Sequence, residues 1–158
     1  MRVRFPDVPE QSLGFVLSDV ARLLRRFFNR KAQDLGLTQA QWQILAYLFH
    51  SEGLKQAELA NILEMQPISV ARIVDRMEAA GWVERRRDPT DRRAFNLHLT
   101  EKAGPIFKDL KKHAMETRER ALLGLSAGER EALFSILVKM RENLIAECDT
   151  DDKERDHG

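Results

Sequence analysis

Cysteine is almost missing from this chain: Cys148 stands alone among 158 residues. No disulfide framework or cysteine-rich zinc site can be built from it within one chain. No basic residue sits at a fixed spacing to activate its thiol, so it reads as a bland residue near a helix end rather than a redox sensor. Long apolar runs are missing too. The longest, Ile44–Phe49, is far too short to cross a bilayer, and the opening MRVRFPDVPEQ lacks the apolar stretch of a signal peptide. A cytoplasmic protein with no membrane partner is the expectation. The histidines, His50, His98, His113 and His157, are scattered without ligand spacing, so neither a metal nor another cofactor is expected. With no nucleophile–base pair and no glycine-rich phosphate loop, the chain does not read as an enzyme.

Net charge is also scant, at +1, which taken alone argues against a nucleic-acid partner. Its distribution argues the opposite. Glu147–Asp156 holds six acidic residues against two basic ones, leaving +5 on the rest of the chain. Within that remainder Arg85, Arg86, Arg87, Arg92 and Arg93 place five guanidiniums in nine positions.

What is present is helical periodicity, 43% hydrophobic residues and 32% charged ones, enough for one domain with a real core. Met1–Gln11, with two prolines, reads as an arm. Ser12 can cap a first helix whose Val16, Val20, Leu23, Leu24, Phe27 and Phe28 recur at helical spacing, and Gly36 ends it. Thr38 and Gln41 form a capping box for a second helix with Trp42, Leu45, Leu48 and Phe49 on one side. A short helix over about Gln56–Leu63 turns Leu59, Ile62 and Leu63 inward. Pro67 then opens a helix to Ala80, because proline's missing N–H costs nothing at a first helical position.

That helix divides cleanly. Val70, Ile73, Val74 and Met77 are spaced i, i+3, i+4, i+7 and face the core. Ile68, Arg72, Asp75, Arg76 and Ala79 fall opposite, with Ser69 at the margin. After Gly81, strand Trp82–Arg86 leads through Asp88-Pro89-Thr90-Asp91 into an alternating strand with Phe95, Leu97 and Leu99 on one side. Two strands alone are marginal, so the hairpin must lean on the helices. Thr100 can cap a long helix from Glu101 to about Leu123, with Pro105 disturbing its start. Ser126 and Glu129 form a second capping box, opening a helix whose Leu133, Ile136, Leu137, Met140 and Leu144 share one stripe.

The fold class expected is mainly α with a small β-hairpin: a winged helix-turn-helix over 38–100, flanked by dimerisation helices at 12–35 and 101–147. A mobile acidic tail over 149–158 completes a single domain, 1–158. A helix of this size fits the major groove of double-stranded DNA, and residues near its N-terminus reach base edges. Arg72 is the best base reader, since arginine pairs bidentately with guanine. Ile68 can meet a thymine methyl, and Gln66, Ser69 and Arg76 complete the DNA-facing set. The hairpin's Arg86, Arg87, Arg92 and Arg93 form an electrostatic probe for a minor groove or phosphate backbone. Asp88 and Asp91 read as turn formers that orient neighbouring arginines.

The segments A-E-L-A, Q-P, V-A-R-I-V-D-R-M-E-A-A-G-W-V-E-R and D-P-T-D-R-R-A-F-N-L-H-L-T-E-K-A resemble the MarR family of bacterial transcriptional regulators, SlyA-type members most nearly. The likeness spans roughly Leu13–Glu147, and its most specific piece is D-x-R-x-x-x-L-x-L-T, Asp91 to Thr100. It implies a recognition-helix base contact at Arg72, wing contacts at Arg92 and Arg93, and a loop-fixing aspartate at Asp91. Gln66 departs from the serine or aspartate cap of many relatives. The peroxide-sensing branch carries a reactive cysteine near the start of its first helix, and this chain has none there.

The first and the last two helices exceed a minimal winged helix. Phe15, Val16, Leu133, Ile136, Leu137 and Met140 are the candidates for burial against a second copy, Ile136 and Met140 foremost. The resemblance implies the same homodimer, and a two-fold dimer predicts half-sites about 10 base pairs apart. It further implies a repressor of a pseudo-palindromic operator, released in many relatives by a small aromatic, phenolic or lipophilic effector. Arg26, Trp42 and Tyr47 suit such a pocket, although core or surface roles account for each, and no ligand residue is assigned. The alternative is a winged-helix protein-interaction module that reads no bases, which the basic wing and the arginine-bearing helix disfavour.

Overall fold

The computed structural model describes residues 12–91 and 94–155. The elements run α1 (Leu13–Asp34), α2 (Gln39–His50), β1 (Leu54–Lys55), α3 (Gln56–Ile62), α4 (Pro67–Ala79), β2 (Val83–Arg87), β3 (Phe95–Leu99), α5 (Ala103–Ala121) and α6 (Ala127–Arg155). They form two compact units, one through Arg118 and one from Glu119 onward. The expected arm, Met1–Gln11, lies outside the described residues. Among those residues no helix is long and apolar enough to cross a membrane.

In the first unit α2, α3 and α4 enclose a core of Ile44, Leu45, Leu48, Leu59, Ala60, Val70, Val74 and Met77, joined by Val83 and Leu97 from the sheet. Full burial of each larger side chain contributes roughly 1.5–3 kcal/mol. Phe28 and Ala32 of α1 and Ala103 and Leu110 of α5 extend the same cluster. Two residues expected inside are largely exposed, Phe49 and Ile62. The inward face of α2 centres on Ile44, Leu45 and Leu48, and that of α3 on Leu59 and Ala60. At about 100° per residue, Phe49 and Ile62 each fall roughly a quarter-turn away from those centres. Phe49 instead stacks on Phe107, ring centroids 3.6 Å apart.

The sheet has three strands in the order β1-β3-β2, all antiparallel. Leu54 pairs with Leu97, and Val83, Arg85 and Arg87 face Leu99, Leu97 and Phe95. The two-residue β1 has too little pattern to be seen in sequence, yet it makes β3 a central strand. That removes the weakness of a lone hairpin.

Three helix ends share one design. At α1, Gly36 N–H donates to Gln33 O and Leu37 N–H to Ala32 O; at α4, Gly81 N–H donates to Glu78 O and Trp82 N–H to Met77 O. Each pair is a Schellman closure, with the glycine in left-handed conformation. The turn between α3 and α4 repeats it, with Glu64 N–H on Asn61 O and Met65 N–H on Ala60 O. Here the left-handed residue is Glu64, at φ 52°, a conformation its β-carbon disfavours.

Helix starts differ from expectation in one place. The capping box of Thr38 and Gln41 forms, with Thr38 N–H on Gln41 Oε1 at 2.9 Å. Thr100, by contrast, caps nothing: its hydroxyl donates to Gly81 O at 2.5 Å and its N–H to Trp82 O, closing the base of the hairpin. Helix α5 therefore begins at Ala103, and Pro105 sits in its first turn, where no helical acceptor awaits an N–H. Ahead of the proline the chain opens irregularly, as expected, with i→i−3 bonds from Ala103 N–H to Thr100 O and from Gly104 N–H to Glu101 O.

In the second unit the capping box of Ser126 and Glu129 forms, and the Ser126 donors hold the Glu129 carboxyl below its usual range. Arg130 ties the turn together, donating to Leu122 O and Leu125 O and pairing with Glu119 at 2.7 Å. Helix α6 continues to Arg155, whereas a mobile acidic tail was expected from 149. No proline or glycine interrupts 149–155, and its lysine, arginine and glutamate are good helix formers. Its apolar residues do not make one stripe. Phe134, Val138 and Ile145 add a second row beside Leu133, Ile136, Leu137, Met140 and Leu144.

Candidate nucleic-acid interface

Helix α4 is held from one side only. Val70, Val74 and Met77 are fully buried, while Arg72, Asp75, Arg76 and Ala79 stand outward and Ile68 is 62% exposed. An isoleucine so exposed at a helix start has no role in this core. Pro67 occupies the first helical position and Gln66 the N-cap, without a side-chain cap bond. The Gln66 side chain is exposed, Ser69 is half-buried, and all of these line one end of α4. Among the described residues Arg72 and Arg76 have no ion-pair partner.

The wing sorts its arginines. Arg85 turns back onto α4, pairing with Asp75 at 2.5 Å and with Glu78, while its N–H also donates to Glu78 Oε1. It is a clamp between strand and recognition helix, with Gln56 of α3 at 3.4 Å as a further neighbour. Arg86 pairs with Glu84 at 2.5 Å along its own strand. Arg87 is exposed, at the end of β2. Arg92 and Arg93 lie outside the described residues.

The turn-fixing carboxylate on view is Asp88. It is 9% exposed, and its Oδ1 accepts from Thr90 N–H at 2.7 Å, Thr90 Oγ1 at 2.6 Å and Asp91 N–H at 3.0 Å. Its Oδ2 meets Lys55 Nζ at 3.2 Å. The Thr90 donors, foremost, hold this carboxyl far below the ordinary carboxylate range. Backbone bonds from Asp88 N–H to Ala94 O and from Ala94 N–H to Asp91 O close the turn. Asp88 was expected to form the turn and to orient neighbouring arginines; it forms the turn, and among the described residues its ion-pair partner is Lys55. That lysine precedes α3, so the wing turn is tied to the opposite edge of the sheet. Asp91 is exposed at the same turn.

Sequence reasoning missed Arg85 as a clamp, Lys55 altogether, and the size of the Asp88 role. The D-P-T spacing carried a signal for the last, since aspartate two residues before a threonine commonly builds an Asx turn. The first two depend on contacts between elements.

A helix–turn–helix whose second helix holds Arg72 and Arg76 outward, followed by a sheet with an arginine-bearing hairpin, is a winged helix with a DNA-binding architecture. The model of the MarR family matches residues 37–95. The structure of the transcriptional regulator PA3341 is similar at 31% identity and a TM-score of 0.74, covering 85% of this chain and 99% of that one. Wild-type MarR from E. coli is similar at 25% identity and a TM-score of 0.71, covering 82% and 96%. The transcriptional regulator SlyA stands at the same identity and TM-score, covering 85% and 94%. The chain belongs to the MarR family of transcriptional regulators.

Proposed function

We infer that this protein is a sequence-specific repressor that binds a pseudo-palindromic operator as a homodimer and lets go when a small effector binds. Gln66, Ile68, Ser69, Arg72 and Arg76 are the recognition-helix contacts, with Arg72 the base reader. Arg86, Arg87, Arg92 and Arg93 are the wing contacts, and Asp91 joins Asp88 in shaping the turn. The observation that carries this reading is the outward face of α4, where Arg72 and exposed Ile68 stand opposite a fully buried core stripe. Support for the dimer comes from apolar surface a single chain leaves in water, including Phe15 at 61% and Ile136 at 58% exposure, with Val16 and Leu133 also exposed. Leu137 and Met140 are half-buried in the single chain and complete the expected contact.

The test is fluorescence anisotropy with the protein's own upstream DNA and a scrambled duplex at two salt concentrations. Arg72→Ala should cost on the order of 1–3 kcal/mol on the specific duplex and little on the scrambled one. An equal loss on both would make Arg72 a phosphate contact. Absence of binding, or binding without a salt slope, would favour the protein-interaction module.

A further inference from the structure

Helix α1 carries a row of arginines that neither the DNA-facing surface nor the expected dimer contact uses. Arg22, Arg25, Arg26 and Arg30 are spaced i, i+3, i+4, i+8 and share a face with Asn29 and Gln33. They line a cavity of about 320 Å³ between α1 and the first residue of α2, Gln39. That volume is at the small end of ligand pockets. Its floor is preformed: Trp42 Nε1 donates to Asn29 Oδ1 at 2.8 Å, and Asn29 Nδ2 donates to Gln39 Oε1 at 2.8 Å. Arg22 is neutralised by Asp19 at 2.7 Å. Arg25, Arg26 and Arg30 have no acidic partner among the described residues, and like charges one turn apart destabilise a helix. Every residue lining the cavity is polar or cationic, and none is aromatic.

We propose that this groove is a binding site for a small phosphorylated molecule with at least two negative charges. Guanidinium forks suit phosphate oxygens bidentately, and three arginines without an acidic partner among the described residues match a multivalent anion better than a monoanion. The N-terminus of α2 adds partial positive charge at the same end. An aromatic or phenolic effector, as the family resemblance implies for many relatives, finds no ring to stack on here. The proposal deepens the repressor reading by naming the ligand class of its effector, and binding itself requires no DNA.

Isothermal titration calorimetry of the full chain with inorganic pyrophosphate, at constant ionic strength, tests it. Saturable binding of one pyrophosphate per chain is expected. The variant carrying Arg25→Gln, Arg26→Gln and Arg30→Gln should bind at least tenfold more weakly, while the Lys111→Gln, Lys112→Gln control on α5 should bind as the parent does. Glutamine is a good helix former, and circular dichroism of the triple variant verifies the helix. No saturable binding, or equal binding by the triple variant, overturns the proposal, as does tighter binding of salicylate than of pyrophosphate. DNA phosphate is the other source of the same chemistry. A triple variant with a reduced DNA salt slope, in a parent that ignores pyrophosphate, would assign the groove to DNA and overturn the small-molecule site. If operator binding failed while pyrophosphate bound, the repressor reading alone would fall.

Discussion

Replacing Glu64 by glycine should stabilise the protein although it deletes a whole side chain. Glu64 is the left-handed residue of the turn between α3 and α4, at φ 52°, and glycine occupies the equivalent position after α1 and α4. A β-carbon in that conformation costs about 1–2 kcal/mol. Against this, glycine loses more conformational entropy on folding, roughly 0.5–1 kcal/mol. The balance is a gain of about 0.5–1 kcal/mol. For a domain of this size a gain of 1 kcal/mol raises Tm by roughly 2–4 °C. The backbone bonds that close the turn, Glu64 N–H to Asn61 O at 3.1 Å and Met65 N–H to Ala60 O at 2.9 Å, survive the change. Urea unfolding of the parent, Glu64→Gly and Glu64→Ala separates backbone from side chain: alanine keeps the β-carbon and should leave the midpoint nearly unchanged. A lower midpoint for Glu64→Gly than for Glu64→Ala would refute the reasoning, because it would mean the left-handed backbone carries no strain worth relieving.

Two further outcomes follow from the wing. Arg85→Ala should destabilise by about 0.4–2 kcal/mol in urea unfolding, since its two carboxylate partners are both substantially exposed and such pairs contribute only about 0.2–1 kcal/mol each. It should also weaken DNA binding more than Asp75→Ala does, because it leaves two unpaired carboxylates beside the DNA-facing helix; equal losses would argue against the clamp. Asp88 offers a pH test. Its folded pKa lies below the unfolded one, so its contribution is fully present above the ordinary aspartate pKa of about 3.9 and is lost as pH falls through the lower folded value. The stability gap between the parent and Asp88→Asn should therefore be constant from pH 7 to 5 and narrow below about pH 4 in an acid series. A gap that stays constant down to pH 2 would place the stabilisation elsewhere than on the carboxylate.

Local rules made much of this protein legible from its residues. The capping boxes at Thr38 and Ser126, the glycines after α1 and α4, proline at the start of α4 and the period of Val70, Val74 and Met77 are all decided within a turn or two of chain. The D-x-R-x-x-x-L-x-L-T string and the arginines around it named the wing and the family. The outward placement of Arg72 and Ile68 followed from the same helical period.

Other features depended on what each element meets. Strand β1 is two residues long and exists only because β3 presents a free edge to Leu54 and Lys55. Thr100 had the chemistry of a helix cap, but its hydroxyl lies at the base of the hairpin, donating to the carbonyl of Gly81, and α5 starts three residues further on. Arg85 looked like one more wing cation until Asp75 and Glu78 on α4 claimed it. In sequence the three arginines of β2 are equivalent charges. Strand alternation and the position of α4 send one of them inward, and only tertiary structure supplies that position, because an ion pair is chosen by distance in space rather than along the chain.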